Sequence, residues 1–242
     1  MELFFASCFY FLRCDERWLE RYAPAIRSLF ANAIREVLTR ILTNATGSLL
    51  SRDIALHMQA HPAVKQQELV APEQFRFKDD GVFPNSVLPL LVYRQAFTID
   101  AADRASIIEQ CFSENDWTNS WRNGVYSFAH YHSTTHEALG VYCGAATLRV
   151  GGEHSSDVKV YAGDVIVIPA GVAHQNVGAS ADFAVVGAYP NGREWDLLRG
   201  QSGERPRADH NIAALPIPDN DPIYGAEGTL RQIWNSNRAS SK

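Results

Sequence analysis

Cysteine is scarce in this chain: Cys8, Cys14, Cys111 and Cys143 are the only four in 242 residues, and no two form a C-x-x-C pair. A disulfide framework is therefore not expected, and the default compartment is the reducing cytoplasm. Basic residues are not in excess either, with 22 Lys plus Arg against 27 Asp plus Glu and a formal net charge of −5. Nucleic acid is thus not an expected partner. Long apolar runs are also missing. The apolar opening, residues 1–12, falls well short of the ~20 residues that a membrane-spanning helix needs. Glu2 sits where a secretory signal carries basic residues, and no small-residue cleavage site follows, so neither a span nor a targeting segment is expected. What is present, 46% hydrophobic and 20% charged residues, fits one globular domain with a modest appendage.

Two regions differ in pattern. Between residues 15 and 42 apolar residues recur every three or four positions, from Leu19, Tyr22 and Ile26 to Ile41 and Leu42, with Arg17, Arg21, Arg27, Arg35 and Arg40 largely off the stripe. That predicts an amphipathic helix, kinked or restarted at Pro24 and ended near Gly47. After Met58 the chain turns to short runs of Val, Ile, Tyr and Phe between Gly, Pro, Asn and Asp, the pattern of an all-β sandwich or barrel. Strands are predicted at 88–97, 125–132, 138–142, 146–150, 158–161, 165–169 and 183–188, with a helix at 103–111. Beyond Tyr189 the proline-rich sequence predicts an irregular arm over the barrel, with a short helix near 229–234.

Side chains alternate along a strand, so His130 and His132 should share a face while Ala129 and Tyr131 take the other. Glu137 opens the next predicted strand after a polar turn, and His174 follows the run at 165–169. Three imidazoles and a carboxylate suit a divalent transition metal such as Fe, Ni, Cu, Zn or Mn. Taken singly, each histidine reads as a surface residue or a hydrogen-bonded core residue; the cluster is what points to a metal. His136 competes with Glu137, but neighbours on an extended strand face opposite ways. Glu137 is the favoured ligand on that ground, leaving His136 behind the ligands or at the rim.

Two spaced patterns carry a family resemblance. Gly124, five residues, His130-x-His132, four residues, Glu137, six residues, Gly144 resembles the first motif of the cupin superfamily; Gly163, five residues, Pro169-x-Gly171, two residues, His174 resembles the second. The second motif ordinarily continues to an Asn where this chain has Gly178, with Asn176 nearby, which suggests a different strand end. The segments Phe75-x-Phe77-x-Asp79-Asp80-Gly81, Pro84-Asn85, Trp121-Arg122-Asn123-Gly124 and Asp221-Pro222-x-Tyr224-Gly225 are similar to the YjlB-like cupins, over about residues 72–234. The resemblance implies a double-stranded β-helix (jelly-roll) barrel, with His130, His132, Glu137 and His174 as ligands of one divalent transition metal, Fe, Mn, Ni or Zn. It implies a small-molecule substrate, and a homodimer by analogy alone. Residues 1–57 have no counterpart in it.

The expected organisation is an N-terminal helical extension over 1–57, a cupin barrel over 72–190 and an arm over 191–242. Whether the extension belongs to the native protein stays open: Met1 and Met58 are the only methionines, so a start at Met58 competes with a helical appendage that mediates oligomerisation. Arg122 is a candidate for holding an anionic substrate or, equally, for a structural salt bridge. Tyr126 and Phe128 are expected as barrel filling or as a substrate wall, and Cys143 as a small packed residue. Cupins include dioxygenases, isomerases, decarboxylases and simple binding proteins, so reaction type follows only by analogy. An oxidoreductase of the dioxygenase kind is favoured, followed by an isomerase and then by a non-catalytic binding or metal-storing module.

Overall fold

In the computed structural model, residues 69, 71–98 and 103–240 are described. They fall within one unit of the chain, Ala63–Lys242. The helix expected at 15–42 and the rest of the 1–57 extension lie outside the described residues.

Among the described residues nine strands form two antiparallel sheets. The larger runs in the order β1 (Glu73–Phe77), β2 (Ser86–Tyr93), β7 (Val165–Ile168), β4 (Glu137–Cys143), β9 (Ala184–Pro190), β3 (Trp117–Asn123). The smaller runs β6 (Ser156–Tyr161), β5 (Ala145–Val150), β8 (His174–Ala179). Alternation explains why the central strands of the larger sheet are apolar throughout, for both of their faces are covered. Leu90, Val92, Leu139, Val141, Ile166 and Ile168 pack with Leu148, Val150, Val158 and Val160 of the smaller sheet. The intervening residues Leu91, Tyr93, Ala138, Val165, Val167, Val186 and Ala188 pack instead with residues of helices α1 (Arg104–Glu114) and α3 (Leu230–Ser240). A third helix, α2 (Arg207–Ala214), lies between them in the chain.

Helix α1 starts where the Asp103 carboxylate accepts from the Ser106 backbone N–H at 3.1 Å. Its buried residues Ala105, Ile108 and Phe112 fall at helical spacing on one face. Gly140 of β4 lets that face approach, because a Cβ there would stand 2.5 Å from Ile108 Cγ2. On α3, Trp234 is fully buried and its indole N–H donates to the Pro89 carbonyl of β2 at 2.9 Å.

Several expected bounds shift. The stretch 125–132 is not a regular strand: only His130 and Tyr131 make isolated bridges, to His174 and Leu198. The sheet edge is formed instead by β3, whose polar sequence WTNSWRN lacks a clear apolar alternation. Strand β8 begins at His174, and its ladder with β5 has an irregularity between Thr147 and Leu148 beside Gly178. The arm is not wholly irregular, since it contains α2 as well as α3. Among the described residues no helix is long and apolar enough to cross a membrane.

Candidate metal centre

His130, His132 and His174 come together with ligand atoms all within 4.8 Å of one another, and all three are buried. His130 and His174 are tied by a reciprocal backbone bridge, His130 N–H to His174 O at 3.1 Å and His174 N–H to His130 O at 2.9 Å. Their rings stand 4.0 Å apart. His132 reaches the same place from two residues further on, while Tyr131 between them turns away and its phenol donates to Glu204 at 3.0 Å. Alternation therefore operates on the extended segment 130–132 although it is not a regular strand.

Each ring has its tautomer fixed by a backbone carbonyl, which can only accept. His130 Nδ1–H donates to Phe128 O at 3.1 Å, and His174 Nδ1–H donates to Val172 O at 3.1 Å. His132 Nδ1–H donates to the carbonyl of Asp196. In the neutral imidazole the proton is then on Nδ1, and Nε2 is left as a bare lone pair. Glu137 Oε2 lies 3.3 Å from His174 Nε2 and 3.6 Å from His132 Nε2. Its other oxygen, Oε1, accepts from the Tyr189 phenol at 3.1 Å, and that phenol oxygen accepts from the Trp121 indole N–H at 2.8 Å. Gly187 leaves the space for this indole, since a Cβ there would come within 2.2 Å of it.

The electrostatics follow from this crowding. Burial alone would raise the Glu137 carboxyl, but His132 and His174 hold it well below the usual carboxylate range. Burial pushes down His132 too, yet the Glu137 carboxylate and Asp196 together outweigh it and leave His132 raised. His130 is pushed down to about 3 by burial and by His174. Bare nitrogens and a carboxylate oxygen facing one another repel unless a proton or a metal cation stands between them. The donor set fits a divalent ion, with outer partners of the kind that orient metal-binding histidines.

Asp196, from the arm, is the partner that sequence reading missed. Its carboxylate accepts from Ser133 N–H at 2.6 Å, from Ser133 Oγ at 2.6 Å and from Thr134 N–H at 3.2 Å, so it closes the turn after His132. Nothing in the sequence signals a contact across more than sixty residues. Tyr189 and Trp121 were also missed. Extending the strand predicted at 183–188 by one residue would have placed Tyr189 on the face of Val185 and Gly187.

His136 is turned to the other side of β4, with its ring 4.8 Å from that of Trp234. Its Nδ1 accepts from Ala170 N–H at 3.0 Å, its Nε2–H donates to Pro216 O at 3.3 Å, and burial pushes it down to about 4. Arg122 makes a bidentate pair with Glu109, at 2.7 and 2.6 Å, which is the structural of its two readings. Tyr126 is 47% exposed and lines the cavity instead of filling the barrel. Cys143 is not a packed apolar group, for its thiol donates to Asp182 Oδ2 at 3.3 Å near the surface.

Over 163 residues the chain is 38% identical to the "Uncharacterized protein YjlB" of Bacillus subtilis (strain 168), covering 67% of this chain and 96% of that protein. The chain belongs to the YjlB-like cupins. No protein-family model matches it. Among solved structures, this cupin is similar to acireductone dioxygenase from Bacillus anthracis with a cadmium ion in its active centre, at 15% identity and a TM-score of 0.31. That match covers 44% of this chain and 80% of the dioxygenase. Procruciferin, the 11S globulin of Brassica napus, matches at 20% identity with a TM-score of 0.27, over 32% of this chain and 20% of the globulin. Likenesses this partial say nothing of what this cupin binds.

Proposed function

We propose that the protein holds one divalent transition metal on His130, His132 and His174, with Glu137 as the carboxylate ligand, and acts as a dioxygenase-type enzyme on a small organic molecule. The observation that carries the metal reading is the convergence of three rings whose Nδ1–H groups are all claimed by carbonyls: in the neutral rings each Nε2 is a lone pair, and the Glu137 carboxylate stands beside those of His132 and His174. When bound, such an ion acts as a Lewis acid or brings an oxidisable ligand beside dioxygen.

The chain's own residues do the remaining work. The carbonyls of Phe128, Val172 and Asp196 orient the rings, and the Tyr189 phenol occupies Glu137 Oε1, leaving Oε2 toward the histidines. A cavity of about 330 Å³, lined by Trp121, Tyr126, Tyr189 and Trp195, adjoins these residues. It lies at the small end of ligand pockets, which suits a small molecule. The test is dioxygen uptake by metal-loaded protein offered a panel of enediols, thiols and keto acids. Uptake with one class is the expected result. Silence across the panel with metal retained contradicts the enzymatic reading and favours a non-catalytic binding module.

A further inference from the structure

We infer that the cavity is built for a small, planar, conjugated monoanion whose anionic oxygen points to the histidines and whose ring lies against Trp195 and Tyr126. This rests on the metal reading above and adds the substrate class.

Two half-open aromatic side chains flank the histidines. Trp195, 38% exposed, stands edge-on to His132 at 5.5 Å and nearly parallel to Tyr189, at 25° and 6.4 Å. Tyr126, 47% exposed, stands edge-on to His130 at 5.2 Å and is stacked on Phe128 at 4.8 Å. Both line the cavity. Folding gains nothing from leaving such apolar area open, whereas a flat ring would cover it by offset or edge contact.

The polar groups narrow the class. Among the described lining residues Arg122 is the only permanent cation, and Glu109 and Ser106 already occupy it. The Tyr189 phenol is engaged on both sides, by Trp121 and Glu137. A phosphate would therefore lose its water without finding a free permanent cation among these lining residues. Three neutral imidazoles, one carboxylate and a divalent ion sum to a single positive charge, which one anionic oxygen balances in a buried site.

The test uses full-length, metal-loaded protein titrated calorimetrically with three probes: benzoate, cyclohexanecarboxylate, which keeps the charge but puckers the ring, and benzamide, which is planar but neutral. Benzoate is expected to bind about tenfold more tightly than either of the others. In Trp195→Ala, and separately in Tyr126→Ala, the advantage over cyclohexanecarboxylate should shrink severalfold while elemental analysis finds the metal unchanged. Equal affinities for the three probes, no benzoate binding at millimolar concentration, or an advantage untouched in both variants would overturn the inference. Wild-type protein without metal is a separate result, which overturns the metal reading itself.

Discussion

His132 is held at Nδ1 by the Asp196 carbonyl, and its Nε2 stands 3.6 Å from the Glu137 carboxylate. Protons and a metal ion compete for that Nε2. A ligand imidazole must be neutral, so acidification favours the proton and metal affinity falls. Because His132 is raised while His130 is pushed down to about 3, His132 is the first of these two to take a proton. Metal retention measured by dialysis across a pH series should therefore fall on acidification, with the loss setting in at a higher pH than protonation of His130 alone would produce. Retention unchanged down to pH 4 would contradict the assignment of His132. At this scale the sequence was informative where a local rule applied. Strict alternation separates His130 and His132 from Tyr131, and Glu137 from His136. It carried no sign of the carbonyls that fix the tautomers, because those belong to backbone folding.

Helices and strands were legible in proportion to their apolar periodicity. Strands β4, β5, β6 and β7 carry regular or continuous apolar runs and appear within a few residues of their expected bounds. Edge strand β3 and strand β8 are polar, and their ladders are set by partners distant in sequence, which no local pattern records. The segment 125–132 has strand-like composition, but its hydrogen bonds go to His174, Asn176 and Leu198 from a bent chain. The clearest case is the stretch after β9, read only as an irregular arm over the barrel, which supplies Trp195 and Asp196 to the site. Asp196→Ala removes the carboxylate that closes the turn at Ser133 and Thr134, and with it the fixed position of His132. Metal affinity should drop about 10–100-fold, as for the loss of other outer partners of ligands. Asp219→Ala, which removes only the exposed pair with Arg231, should leave it unchanged. A competitive chelator titration of both variants measures this, and equal affinities would show that Asp196 does not position the ligand.

Across the whole molecule, the six-stranded sheet is covered by the smaller sheet on one face and by helices on the other, and the last fifty residues supply part of that cover. Asp221 is fully buried and accepts from the Tyr93 phenol at 2.5 Å. Trp117 donates to the Asn220 carbonyl at 3.0 Å, and Trp234 fills the space over Pro89. Ending the chain after Pro190 would uncover Tyr93, Leu91 and Val167, which are fully buried. It would also leave several buried polar groups without partners. Such a truncation is expected to aggregate, with loss of a cooperative thermal transition. A truncated chain that is monodisperse and equally stable would show the arm to be dispensable.

The central claim, a metal held by three histidines and Glu137, is tested most directly by metal content. The protein should be purified without a nickel-binding tag and compared with His132→Ala and with His154→Ala, which alters an exposed histidine away from the site. Elemental analysis should find about one divalent transition metal per chain in the wild type and in His154→Ala, and little in His132→Ala. Equal metal content in all three, or none in the wild type after loading, would contradict the account.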